Sequence, residues 1–126
     1  MEEQSEFYTT EKEKIWYLPS KGKNYRHRLD GPAVEWSDGT KAWWVDDKLH
    51  RLDGPAIKRE DGTKEWYVDD KLHRLDGPAV EDADGIKYWF VDGKRLPTEE
   101  VEEWLEENDV DLKTESGQMA FKLRWS

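Results

Sequence analysis

Apolar and polar residues recur along this chain with a period of 23 residues, from His27 to His50 and from His50 to His73. The first complete unit reads HRLDGPAVEWSDGTKAWWVDDKL, and the next two units repeat it with few changes. Self-similarity at a fixed period of this size marks a repeat architecture. Within each unit, two short β-prone runs flank an Asp-Gly pair, which is the strongest short-range signal of a β-hairpin. The pattern therefore predicts a series of tandem hairpins.

A weaker copy of the unit precedes His27. The segment KIWYL at 14–18 matches KAWWV at 41–45, which predicts a first hairpin formed by residues 7–10 and 14–18. The loop that follows, 19–24, is longer than its counterpart in the complete units. A terminal repeat that departs from the consensus is typical of a cap.

The pattern changes after Leu96. The segment 98–108 predicts a helix, with Thr98 as its N-cap and Asn108 near its end. The segment 118–125 alternates apolar and polar residues, which predicts a half-buried strand. We expect this helix and strand to cover one end of the sheet, because an open sheet edge invites pairing with other chains.

These elements predict a mainly β fold, an antiparallel meander of tandem 23-residue hairpin repeats in a single-layer sheet or solenoid. The C-terminal helix and strand form its cap. We interpret the chain as a single domain, because one domain is the prior for 126 residues. Its parts are a degenerate N-terminal repeat (5–26), three complete repeats (27–49, 50–72 and 73–95) and the cap (96–126).

Each hairpin carries a pair of aromatic residues. The first is always tryptophan, at positions 16, 43, 66 and 89, and we assign this row to the packed face of the sheet. The second varies, and it is our candidate binding surface together with two residues at variable hairpin shoulders: Tyr17, Trp44, Tyr67, Phe90, Trp36 and Arg59. The alternative is that long Lys and Arg stems or the helix cover this second face.

The net charge of −10 is concentrated at the two ends of the chain, and the repeats are close to neutral. On the predicted helix, the acidic residues Glu99, Glu102, Glu103 and Glu106 form a candidate acidic arm. This arm is either a solvated face or a lure for a basic partner. Because no cluster of Lys and Arg is present, we expect neither direct nucleic-acid binding nor binding to an anionic membrane.

Other features of the sequence indicate the cellular compartment in which we expect the protein. The absence of cysteine excludes disulfides and thiolate chemistry. The N-terminal residues lack the apolar stretch of a signal peptide, and no apolar run approaches the roughly 20 residues of a membrane helix. We therefore expect a cytoplasmic protein.

Candidate catalytic and ligand groups recur once per repeat. The histidines His27, His50 and His73 are expected about 10 Å apart, which is too far to share a metal ion. We expect each to pack against an aromatic ring or to bond a turn carbonyl. For the Asp that precedes each Gly-Pro, we expect a turn role or an ion pair, such as Arg51 with Asp53 or Asp76. No catalytic triad order or phosphate-binding loop is present, so we predict no enzyme activity and no cofactor.

The Asp-Gly hairpins, the lysine-and-aromatic strand and the linking phrase D(D/G)K(L/R)H resemble MORN-type repeats. The phrase HRLDGPA followed by DGTKEWYV is similar to a divergent variant of that class found in phage and bacterial proteins. The resemblance covers 14–96 and implies tandem β-hairpins with a scaffold role and no catalytic residues. The chain departs from the family by its inserted Leu-Asp and by its lack of a basic surface, which argues against lipid binding.

We therefore predict a non-enzymatic module that binds another protein. In the setting that the resemblance implies, it is a phage-encoded modulator or inhibitor that acts in the cytoplasm of the host cell. One alternative is a small-ligand or nucleotide binder that acts as a sponge. The other is a self-associating β-module that forms homo-oligomers through its sheet edges.

Overall fold

The structure, a computed structural model, describes residues 3–126. Met1 and Glu2, the first two residues of the predicted domain and part of its acidic N-terminus, lie outside the described residues. The predicted class is confirmed, because short antiparallel strands form a meander and helices occur after the last repeat. The strands are β1 (Glu6–Thr9), β2 (Glu13–Tyr17), β3 (Val34–Trp36), β4 (Lys41–Ala42), β5 (Trp44–Val45), β6 (Lys48–Leu49), β7 (Ile57–Lys58), β8 (Lys64–Glu65), β9 (Tyr67–Val68), β10 (Lys71–Leu72), β11 (Val80–Glu81), β12 (Lys87–Val91) and β13 (Lys94–Leu96), and the helices are α1 (Thr98–Glu107) and α2 (Glu115–Trp125).

Nine of the strands form one continuous sheet in the order β1-β2-β3-β4-β7-β8-β11-β12-β13. The remaining strands form two small hairpins, β5-β6 and β9-β10, which lie beyond this sheet. The predicted first hairpin forms, with both strands shifted by one residue towards the N-terminus and Phe7 opposite Trp16. The first two complete repeats therefore each add two strands to the main sheet and one further hairpin beside it, whereas in the third repeat β12 is continuous and pairs with β13 within the main sheet.

Trp43 marks the point where the chain leaves the main sheet for the small hairpin. Its N–H donates to the carbonyl of Ala56 in the next repeat (2.7 Å), and its carbonyl accepts from the N–H of His50 in its own hairpin (3.1 Å). Trp66 makes the equivalent pair of bonds with Ala79 and His73. The tryptophan thus joins two layers of hydrogen bonding, which the sequence pattern presents as one uninterrupted strand.

The turns have the backbone conformations that their residues predict. Gly39 and Gly62 in the Asp-Gly hairpins have φ near +97°, where a side chain would be strained. The paired residues Asp46 and Asp47 both adopt the left-handed region, with φ of 51° and 64°. Asp tolerates this region better than most residues, so the reversal needs no glycine.

The C-terminal cap differs from its prediction in one element. The segment 118–125 lies in α2, so the predicted strand is wrong. The Thr114 side chain accepts a hydrogen bond from the N–H of Gly117 and starts the helix. Phe121 and Trp125, one turn apart, are buried, whereas the other apolar residues of the alternating pattern are exposed. A spacing of four residues fits a helix as well as a strand, and tertiary packing decides between them.

The predicted helix is confirmed as α1, although its start differs. Pro97 is the N-cap and Thr98 is already helical, with its hydroxyl donating to the Lys87 carbonyl at 3.5 Å rather than capping. Asn108 is the C-cap, as expected. The two helices and the end of the last repeat together form an apolar cluster, which contains Trp89, Val91, Leu96, Val101, Phe121 and Trp125. Within residues 3–126, neither helix has the length and apolar character required to cross a membrane.

One row of the main sheet places three lysines side by side. Lys58 in β7 pairs directly with Lys41 in β4 on one side and with Lys64 in β8 on the other. All three side chains are exposed. Like charges directly opposite each other destabilise a sheet.

We predict that Lys58→Glu stabilises the protein, because it converts two repulsive cross-strand pairs into two attractive ones. The free energy of unfolding in urea should rise by about 0.5–1 kcal/mol, and the gain should shrink at high salt. The matched control is Lys87→Glu, which places a second acid opposite Glu81 and should be destabilising. Equal effects of the two substitutions would contradict the prediction.

Candidate functional site

The motif HRLDGPA forms a loop that is held by a guanidinium stacked on an indole. The Arg51 guanidinium lies 3.9 Å from the ring centroid of Trp43, which belongs to the preceding repeat. Its Nε donates to Asp53 Oδ1 (2.9 Å), and its Nη1 donates to the carbonyl of Pro55 (3.0 Å). The predicted ion pair between Arg51 and Asp53 is confirmed, whereas Asp76 pairs with its own Arg74.

The same arrangement occurs at all three loops. Arg28 stacks on Trp16 at 4.1 Å, and Arg74 stacks on Trp66 at 3.8 Å. Each also bonds the Asp two residues on and the Pro carbonyl four residues on. Each of these three arginines therefore joins its own repeat to the preceding one.

The glycine of the motif leaves room for the guanidinium. A Cβ placed on Gly54 would lie 2.9 Å from Arg51 Cζ, which is closer than real Cβ atoms approach. Gly31 and Gly77 show the same approach to their arginines, at 2.8 Å. These glycines do not have the positive φ of the hairpin glycines, so their role is close approach rather than turn conformation.

The histidine of the motif binds the turn of its own repeat. His50 Nδ1 accepts a hydrogen bond from the backbone N–H of Asp69 (3.1 Å), and His27 and His73 do the same with Asp46 and Asp92. This corrects the expectation of a bond to a turn carbonyl, because the ring nitrogen is the acceptor. Within residues 3–126, no group of three or more His, Asp or Glu side chains could hold a metal ion.

Three open clefts lie between or beside these loops, and we call them together the cleft row. The first, of about 400 Å³, is lined by Trp16, His27 and Leu29. The second, of about 560 Å³, is lined by Trp43 and Val45 and by Leu29 and Leu52 from successive loops. The third, also of about 560 Å³, is lined by the equivalent residues Trp66, Val68, Leu52 and Leu75 and by Gln118 of α2.

Two leucines of the cleft row are exposed apolar side chains. Leu29 is 58% exposed and Leu52 is 80% exposed, whereas Leu75 packs against the C-terminal cluster. These leucines were not among the predicted binding residues, because the candidate surface was placed at positions that vary between repeats. The available signal was an apolar residue repeated inside a polar turn, with no place in the alternating pattern of the strands.

The aromatic residues predicted as the binding surface are mostly engaged locally. Trp44 lies 5.2 Å from the Arg26 guanidinium, and the Tyr17 hydroxyl lies 3.4 Å from Glu6. Trp36 and Phe90 are half-buried. These contacts favour the alternative that long side chains cover the second face.

The structure brings two of the predicted residues together. Arg59 Nε binds Glu65 Oε2 at 2.7 Å, and Tyr67 lies beside the same carboxylate. Burial raises the pKa of the Tyr67 hydroxyl above its ordinary value, and the charge of Glu65 adds to the effect. Glu65 is thus the centre of this small cluster, although the sequence analysis did not single it out.

The first tryptophan of each pair is less buried than predicted. Trp16, Trp43 and Trp66 are half-buried under their arginines, and only the last of the row, Trp89, is fully buried, against Phe121 at 5.6 Å. The opposite face of the main sheet buries Ile15, Val34 and Ala42. Both faces of the main sheet therefore carry buried residues, which agrees with the alternative that the second face is covered.

The four acids of the candidate acidic arm are exposed on α1, beside the buried Val101. None of these four side chains belongs to the apolar cluster against which the helix packs. Whether they attract a basic partner stays a prediction. No protein-family model, curated protein or solved structure matches this chain.

We predict that Gly54→Ala lowers the free energy of unfolding by about 1–3 kcal/mol, because the new methyl group displaces the Arg51 guanidinium from Trp43. In an Arg51→Ala background the same change should be neutral or stabilising, since Ala restricts the unfolded chain more than Gly. Urea unfolding of the two single variants and the double variant measures the coupling. An equal cost of Gly54→Ala in both backgrounds would show that the glycine has another role.

Proposed function

We propose that the protein is a non-enzymatic module that binds an extended segment of another protein along the cleft row. The observation that carries this proposal is the pair of exposed leucines, Leu29 and Leu52, which line a cleft together with a tryptophan and a valine. Neither side chain is packed in the core. Aromatic and apolar side chains surrounded by polar groups are typical of protein interfaces.

The regular arrangement supports a long partner rather than a compact one. The three clefts follow the repeats, and neighbouring clefts share a leucine and an aspartate of the loop between them. A partner segment that runs along the row can therefore place one side chain in each cleft. In the setting that the repeat resemblance implies, this partner is a host protein that a phage-encoded module modulates or inhibits.

The nucleotide alternative is disfavoured by the charges of the cleft row. Its arginines are occupied, since each stacks on an indole and bonds an aspartate and a carbonyl. The exposed carboxylates would repel a phosphate group. Self-association keeps one observation in its favour, because β1 is an edge strand of the main sheet and its Phe7 is half exposed.

We predict that peptides selected from a random display library against the full chain bind at the cleft row. In the variant Leu29→Ser with Leu52→Ser, their affinity should fall by at least about tenfold, because the clefts lose their apolar sides. The matched control is Ile86→Ser, which removes another half-exposed apolar side chain outside the clefts and should leave binding unchanged.

Circular dichroism and urea unfolding would show that both variants remain folded. If the selection enriches no peptide, or if the enriched peptides bind the leucine variant as tightly as the original protein, the cleft row is not the binding surface.

A further inference from the structure

We propose that the segment bound along the cleft row is a basic polyproline II helix, with an apolar residue at every third position and Lys or Arg between these residues. This inference rests on the proposed function, because it names the chemistry of the partner that the cleft row takes. The inference follows from the spacing of the clefts, from the charged residues around them and from the aromatic residues that line them.

The spacing of the clefts follows from the sheet. Each repeat adds two strands to the main sheet, and neighbouring strands lie about 4.8 Å apart, so equivalent points recur about every 9.6 Å. A polyproline II helix has three residues per turn and rises about 3.1 Å per residue, so every third side chain points the same way at intervals of about 9.3 Å. The two periods differ by about 0.3 Å per repeat.

Other peptide conformations fit this spacing less well. An extended β-strand returns to the same face every two residues, at intervals of about 6.7 Å, so its residues i and i+3 point to opposite faces. An α-helix returns after about two turns, or 10.8 Å, and is about 10 Å wide. Over three clefts, the mismatch grows to about 2.4 Å for the α-helix and only about 0.6 Å for the polyproline II helix.

The charges that the cleft row presents to solvent are negative. The side chains of Asp30 and Asp53 are both 86% exposed, whereas those of Arg28 and Arg51 are only 19% and 21% exposed. Although each ion pair is neutral in total, the cation is covered by an indole and the anion faces solvent.

A second row of acids lies next to the histidines that line the clefts. Asp46, Asp69 and Asp92 each place a carboxylate oxygen 3.3–3.4 Å from a histidine Nδ1, and about two-thirds of each carboxylate side chain is exposed. Asp46 itself lines a smaller cavity together with Leu29 and Val45. This cavity shares lining residues with the first two clefts. A partner in the cleft row therefore lies near two lines of carboxylates, and Lys or Arg is the complementary chemistry.

The tryptophan and valine side chains that line the second and third clefts suit a polyproline II helix. Trp43 and Trp66 are half-buried and line the second and third clefts, beside Val45 and Val68. Aromatic-lined grooves recognise polyproline II segments, because this conformation is already extended and loses little entropy on binding. The leucine at each side then contacts the apolar residue that enters the cleft.

The test uses synthetic peptides of four identical triplets, Pro-Leu-Lys, titrated into the full chain by isothermal calorimetry. We expect binding that weakens by at least about tenfold when one glycine is inserted after each triplet, because the three-residue period is lost. Replacing every Lys by Glu should abolish the binding, and raising the salt concentration should weaken it.

A set of protein variants locates the charges. Asp46→Asn, Asp69→Asn and Asp92→Asn, combined in one variant, remove three carboxylates, and Asn also tolerates the left-handed backbone at these positions. We expect this variant to lose about tenfold or more in affinity for the Pro-Leu-Lys peptide. The matched control, Glu99→Gln with Glu102→Gln and Glu106→Gln on α1, should retain it.

The outcomes separate this inference from the proposed function. If selected peptides depend on Leu29 and Leu52 but repeat apolar residues every two or seven positions, the function stands and the polyproline II inference is overturned. Equal binding of the Pro-Leu-Lys peptide and its glycine-spaced form also overturns it, as does tighter binding of the Glu form. Binding that requires the three-residue period, the lysines and the aspartates supports it.

Discussion

The stacking of an arginine on the tryptophan of the preceding repeat is the interaction on which this structure depends. The strands of the main sheet are two to five residues long and only two small hairpins lie beside them, so its tryptophan side chains need another cover. The guanidinium supplies it, and its Nε and Nη1 donate to the aspartate and to the proline carbonyl. At the end of the row the next arginine is missing, and Phe121 of α2 covers Trp89 instead.

The stacking of arginine on tryptophan also explains why the loop exposes a leucine and an aspartate. Holding the guanidinium flat on the indole forces the loop to pass close to it, which only glycine permits. The leucine and aspartate between them then point outward on successive loops, at the spacing of the repeats. The same residues that join the repeats therefore create a regular row of clefts with apolar sides and exposed carboxylates, and this row is the basis of the proposed peptide binding.

Much of the fold follows from local features of the sequence. The Asp-Gly hairpins, the Asp-Asp reversals and the helix at 98–107 could be predicted because backbone conformation at these residues depends on their immediate neighbours. The ion pair of Arg51 with Asp53 could also be predicted, since the two residues are only two positions apart in the loop. In each case the residues that determine the structure lie within a few positions of each other.

The features that could not be predicted depend on contacts between distant residues. The helix at 118–125 is selected by packing of Phe121 and Trp125 against the last repeat, and alternation alone does not distinguish it from a strand. The cover over Trp43 comes from Arg51 of the next repeat, eight residues further along the chain. The row of clefts forms only where three loops lie side by side, so it cannot be predicted from the residues of a single repeat.

The most direct test of this account is the NMR spectrum of the arginine Nε–H groups in the folded protein. If the guanidinium groups of Arg28, Arg51 and Arg74 lie on their indoles, these protons should be shifted upfield by the ring currents and protected from exchange with solvent. In a Trp43→Leu variant only the Arg51 signal should return to its ordinary position. Three signals at the positions of free arginine in the original protein would contradict the central role of the stack.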